Sequence, residues 1–142
     1  MAIQPIIQAL LLADNVYTDA ETGKRVISGV FDSIMLPEIP GHFSQDTCVY
    51  VSLTAVRGEI DVMLRYVDLD SDAVLMEHGP TKLSSDDPIA SLDFSAPMPP
   101  LPVPREGVFA LEVHVGEELI GMLRITATQA EDEGDEEGEE NA

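Results

Sequence analysis

The sequence predicts an all-β protein, an antiparallel β-sandwich of about eight strands with Greek-key-like connections, and three observations carry that expectation. Eight short apolar runs lie between Ile6 and Ala127, each closed by a turn signal built from Gly, Pro, Asp or Ser. Several runs alternate apolar and polar residues with period two, the pattern of a strand with one buried face. No stretch of useful length repeats its apolar residues at the helical period. A chain of 142 residues that is 44% hydrophobic suits one domain with a real core. That domain is read as residues 1–129, followed by an acidic tail, residues 130–142, expected to be disordered.

The elements follow in order. Ile6–Ala13 is apolar at nearly every position, as in a strand buried on both faces or central in a sheet. Asp14–Arg25 is a polar connection with a turn at Thr22-Gly23. Val26–Phe31 is the second strand, and Gly29 inside it signals a bulge or a close backbone approach. Leu36–Gly41 breaks the pattern with two prolines and a glycine. Cys48–Val56 and Glu59–Asp68 both alternate cleanly, and Arg57-Gly58 between them predicts a hairpin. The turn Asp68–Asp72 leads into Ala73–His78, and the loop Ser84–Pro88 into Ile89–Phe94. Residues 97–104 hold half of the chain's ten prolines and must be extended, without donating to a central ladder. Gly107–Val115 sets Phe109, Leu111, Val113 and Val115 on one face. Leu119–Ala127 closes the domain, with Leu119, Leu123 and Ile125 on one face and Ile120, Met122, Arg124 and Thr126 on the other.

The formal net charge is −20, unevenly divided. Residues 131–142 hold eight of the 27 acids and no base, which leaves 19 acids against seven bases in the body, a net of −12. Such a body repels phosphate backbones and anionic lipid, so neither nucleic acid nor a membrane is expected as a partner. Cys48 is the single cysteine, so no intramolecular disulfide forms, which fits a reducing cytoplasm. The N-terminus lacks a basic n-region, and Ala9–Ala13 is too short to span a bilayer. A cytoplasmic protein is expected. With no tryptophan and 5% aromatic residues, a stacking platform for bases or sugars is not expected.

Asp68, Asp70 and Asp72 resemble the start of an EF-hand loop, but Ala73 and Gly79 stand where glycine and glutamate are required. A C2-like calcium site remains as an alternative, with those three aspartates joined by Asp86 and Asp87 from a neighbouring loop; the simpler reading is turn chemistry. Thr22-Gly23-Lys24 fails as a phosphate loop, because Thr18 and Arg25 replace the first glycine and the closing Ser or Thr. Pro99-x-x-Pro102 is formally an SH3-type ligand, but a crossover strand packing Met98, Leu101 and Val103 explains it better. His42, His78 and His114 show no metal-ligand spacing. Cys48 with a histidine base would make an enzyme; a small buried apolar residue is the plainer account. The tail reads as a solubilising segment, or as a weak electrostatic dock for a basic partner.

The stretches QALLLADNVYTDAETGKRVISGVF, LRYVDLDSDAVLMEHGP and PREGVFALEVHVGEELIGMLRITAT together resemble a family of short bacterial proteins of unknown function, over about residues 4–128. The resemblance implies a stand-alone β-sandwich with no assigned activity and no known catalytic residue; no cofactor is expected, with calcium only under the C2-like alternative. The terminal hairpin alone is similar to the last strands of immunoglobulin-like domains, in fold only. The expected function is a non-enzymatic module of the bacterial cytoplasm that binds a protein partner, either another protein or a second copy of this chain. Ile120 and Met122, read as an exposed aliphatic pair, are its candidate contact residues. A calcium-dependent C2-like module and an enzyme with an unrecognised site are the alternatives.

Overall fold

The computed structural model describes residues 4–131. Within them the chain is all-β, with eleven strands and no helix. The acidic tail lies, from residue 132 onward, outside the described residues. One sheet holds four strands: β1 (Ile6–Thr18), β2 (Arg25–Phe31), β5 (Cys48–Thr54) and β8 (Leu92–Pro97), in the order β2-β1-β5-β8. A second holds β3 (Ser33–Leu36), β6 (Gly58–Asp68), β7 (Ala73–Ser85), β10 (Gly107–Val115) and β11 (Glu118–Gln129), in the order β3-β11-β10-β6-β7. A two-stranded pair joins β4 (Gly41–Phe43) to β9 (Leu101–Val103).

The expected count of about eight strands is therefore corrected to eleven. Two of the three additions, β4 and β9, sit in or beside segments broken by proline and glycine, and the third, β3, follows directly on the second apolar run. Proline removes one donor and fixes one φ, so it still fits an edge pair. Pro102 lies opposite His42 in the β4–β9 pair, where Leu101 and Val103 on either side of it are buried. The expected hairpin between Cys48–Val56 and Glu59–Asp68 is also corrected. β5 pairs with β1 and β8, whereas β6 pairs with β7 and β10. The link between them, with positive φ at Ala55 and Gly58, carries the chain from one sheet to the other. Alternation says which face of a strand is buried; it does not say which neighbour completes its ladder.

β1 is an inner strand, as its apolar run suggested, but only Leu12 and Ala13 are fully enclosed, and Ile6 is exposed. β2 and β3 are nearly continuous in sequence and belong to different sheets. The switch occurs at Asp32, whose carbonyl accepts the Thr126 amide at 3.0 Å as β3 enters a parallel pairing with β11. No register shift occurs at Gly29. The glycine serves a close approach instead: at φ 75° it lies under the Asp14 carboxylate, where a Cβ would collide.

Both large sheets feed one core. Leu12, Val49, Val51 and Leu53 come from the first; Leu64, Tyr66, Phe109, Leu111, Val113 and Ile125 come from the second; Leu101 and Val103 come from β9. Each such side chain contributes about 1.5–3 kcal/mol on leaving water. Tyr66 stacks on Phe109 with ring centroids 5.6 Å apart.

Candidate functional site

The five-stranded sheet has an inner face in the core and an outer face whose composition is unusual. Phe109, Leu111 and Val113 of β10 point inward, so Ala110, Glu112 and His114 point outward. Cross-strand register then assembles rows on that outer face. Arg124, Ala110, Val67 and Val74 form one row across β11, β10, β6 and β7. Met122, Glu112, Arg65 and Glu77 form the next, and Leu119, His114 and Met63 the third. Val74, Leu119 and Met122 are 52%, 49% and 42% exposed. Ala110 and Val67, in the first row, are buried. The face thus mixes exposed apolar side chains with a central polar row, and also carries Arg124 in the first row and His114 in the third.

Arg124 is exposed with no ion pair among the described residues, and the other polar groups of the rows are paired. Arg65 donates to Glu77 Oε2 at 2.7 Å. His114 is buried, with Nε2 2.8 Å from Glu112 Oε1, while its Nδ1 is buried without a partner. That arrangement places the proton on Nε2, donating to the carboxylate.

Of the two residues the sequence nominated here, only Met122 is exposed on this face. The β10–β11 ladder slips by one residue between Val113 opposite Gly121 and His114 opposite Leu119, which leaves Ile120 as the unpaired residue of a bulge. Ile120 is half-buried and packs on the core. A residue skipped in the ladder inverts the alternation beyond it, so Leu119 shares the outer face in place of Ile120.

The aspartates do not converge. Asp68–Asp72 closes one end of the β6–β7 ladder, where Asp68 opposes Ala73, and Asp86 and Asp87 follow the other end, where Ser85 opposes Gly58. The eleven residues of β6 separate those ends by about 30 Å. Asp68 is buried and paired with Arg105, which also meets Asp70 Oδ2 at 3.0 Å. The Asp68 carboxylate accepts the Asp70 amide at 2.9 Å, and the Asp87 carboxylate accepts the Ile89 amide at 3.0 Å. These are turn-forming bonds, and the C2-like calcium constellation is not assembled. Cys48 lies in the four-stranded sheet opposite Ala13 and Pro97, in a recess with Asp14, Asn15 and Asp46 and no histidine. His42 is on β4, His78 on β7 and His114 on β10, each outside the Cys48 sheet.

A polar network that the sequence did not announce spans the four-stranded sheet. Arg25 of β2 donates to both Asp93 oxygens of β8, at 3.1 and 3.3 Å, and to Thr18 Oγ1 at 3.3 Å. Tyr50 of β5 donates to Asp93 Oδ2 at 2.8 Å. Burial alone would raise the Asp93 carboxyl, but the hydrogen bonds from Arg25 and Tyr50 outweigh it and hold it below its ordinary value. Burial and the Asp93 charge raise the Tyr50 hydroxyl. β2 and β8 are opposite edges of that sheet, about 14 Å apart if it were flat, so this contact requires the sheet to curl.

Residues 8–128 match the model of the family of unknown function DUF6941. The chain belongs to that family. No curated protein matches this DUF6941 member in sequence. Among solved structures it is similar to the Pseudomonas fluorescens alkylpurine DNA glycosylase AlkC, bound to DNA containing an abasic site analog. The TM-score is 0.50 at 10% identity, and the match covers 87% of this chain and 30% of the glycosylase chain. The likeness is one of fold. It nevertheless corrects one expectation: a fold similar to this one occurs in a protein bound to DNA, so the exclusion of nucleic acid drawn from acidity is withdrawn. Net charge sums over a whole surface and does not decide what a local patch binds. No helix among the described residues is long and apolar enough to cross a membrane.

Proposed function

We propose that this DUF6941 protein is a non-enzymatic interaction module of the cytoplasm, a two-sheet sandwich that engages a protein partner through the outer face of its five-stranded sheet. The observation that carries the reading is the set of exposed apolar side chains on that face, Leu119 and Met122 on β11 and Val74 three strands away on β7. Single exposed aliphatics are ordinary, whereas several in adjoining rows mark interaction surfaces. Arg65 is paired with Glu77 and Glu112 meets the His114 imidazole, whereas Arg124 is exposed on the face with no ion pair among the described residues, so a partner that covers it would offer a carboxylate there.

The test is substitution on the face, with folding checked by circular dichroism. Met122→Asp and Val74→Asp should abolish capture of a partner from the native cytoplasm by the full-length protein. Unchanged capture by both variants would refute the reading. A duplex oligonucleotide belongs in the same experiment, because the glycosylase that resembles this fold is bound to DNA. Retention of the duplex by the wild type and its loss in both variants would replace the protein partner with nucleic acid.

A further inference from the structure

The sheet switch at Asp32 creates a second surface, distinct from the outer face of the five-stranded sheet. β2 is the outermost strand of one sheet and β3 of the other, so two ladder edges meet at this corner. Val30 and Met35 flank it and are 57% and 59% exposed. Between them runs an open recess whose inner wall is the tilted pair Phe31 and Phe43, with ring centroids 6.0 Å apart. A second recess shares Asp14 and Gln45 with the first, and a third shares Val30 and Phe31. The three adjoin as one cleft at this corner, with apolar side chains along most of the first and third recesses and polar ones along most of the second.

The charges on the cleft are all of one sign. Asp14, Asp32 and Asp46 line it, and no Lys or Arg does. All three are exposed, and none is in an ion pair among the described residues. Elsewhere Asp61, Asp68, Asp70 and Asp93 each have a basic partner, whereas the turn residues Asp19, Asp72, Asp86 and Asp87, like the three in the cleft, are in no ion pair among the described residues. A cleft with an aromatic wall in its first recess, exposed aliphatic rims and unpaired carboxylates is complementary to one kind of occupant. We infer that it takes an extended segment of a protein partner in which bulky aliphatic side chains alternate with Lys or Arg. Alternation suits an extended chain, which turns successive side chains to opposite sides. The aliphatic set reaches the Phe31–Phe43 wall while the basic set meets the aspartates. This rests on the interaction-module reading and adds the partner's chemistry, at a different surface.

The probes are three fluorescein-labelled peptides of equal length: one alternating Lys with Ile or Val, one with Lys and Ser, and one with Glu and Ile or Val. Fluorescence anisotropy with the full-length protein should show saturable binding of the first alone. Val30→Ser with Met35→Ser should weaken that binding at least about tenfold. Asp14→Asn should weaken it and flatten its dependence on salt, since one screened charge pair is removed. Met122→Asp should leave it unchanged, and methyl resonances of Met35 but not Met122 should shift on titration. Equal binding of the Lys–Ser peptide would overturn the inference, because charge alone would then suffice. So would unaltered binding by the Val30/Met35 variant, or displacement of the peptide by a duplex oligonucleotide. Loss of binding in Met122→Asp alone would remove the cleft and keep the interaction module.

Discussion

Asp93 shows how a single side chain acquires its role from neighbours distant in sequence. Arg25, Tyr50 and Asp93 are unremarkable in the chain and become one network only when β2, β5 and β8 share a curled sheet. Because the Asp93 carboxyl sits below its unfolded value, its contribution to stability is present above about pH 4 and is lost as pH falls through the folded value. Asp93→Asn should therefore lower the thermal midpoint by a few degrees at pH 7, the size expected from weakening charge-assisted bonds. The gap to wild type should close on acidification below about pH 4; a constant gap from pH 7 to 3 in melting curves would contradict this account.

Asp68 and Asp70 make a second contrast at the same scale. Asp68 is buried against Arg105, which also lies over the Phe109 ring at 5.5 Å. Asp68→Ala leaves that corner without its anion and should cost about 2–3 kcal/mol in denaturant unfolding. Asp70 is mostly exposed, and Asp70→Ala should change stability by less than about 1 kcal/mol. The sequence marked both as the same kind of turn aspartate. Burial separates them, and burial is not written in a five-residue motif.

Among the elements, β11 repays the closest comparison with its sequence. Simple alternation puts Ile120 and Met122 on one face, and the bulge at Ile120 separates them. Ile120→Asp should unfold the protein or cost about 2–4 kcal/mol, since it places a charge against the core. Met122→Asp should stay within about 0.5 kcal/mol of wild type, as surface changes do. Equal effects in chemical denaturation would show that the two side chains share an environment. Nothing in LIGM distinguishes the bulged residue; opposing Gly121 on the core side is Ile7 of β1, whose Cδ1 occupies the place a Cβ would take. That glycine reports a contact with another sheet, legible only once β1 is in place. β10, by contrast, spans Gly107–Val115, the bounds its sequence indicated, because four inward aliphatic and aromatic positions leave one register open to it.

For the whole molecule, the charge of −20 sets the response to solvent. Self-repulsion weakens the compact state, and added salt screens it. The thermal midpoint should rise by several degrees between about 10 mM and 0.5 M NaCl, where the Debye length falls from about 30 Å to a few Å. Millimolar calcium should produce no further rise at matched ionic strength, because the aspartate turns stand at opposite ends of the β6–β7 ladder. A specific calcium-dependent shift in a thermal melt, lost in Asp70→Asn, would refute that geometry.

The sequence by itself determined the class of fold, most strand positions and the core-facing residues of β5, β6 and β10, because period-two burial is a local property of each strand. Tertiary structure decided which strands are neighbours: that β5 and β6 part into different sheets, that β3 joins β11 in parallel, and that prolines close a small pair of their own. It also decided the two surfaces of functional interest. The outer-face field needs cross-strand register, and the acidic cleft needs two sheet edges to meet at Asp32; both are relations between segments, which alternation within a segment does not encode.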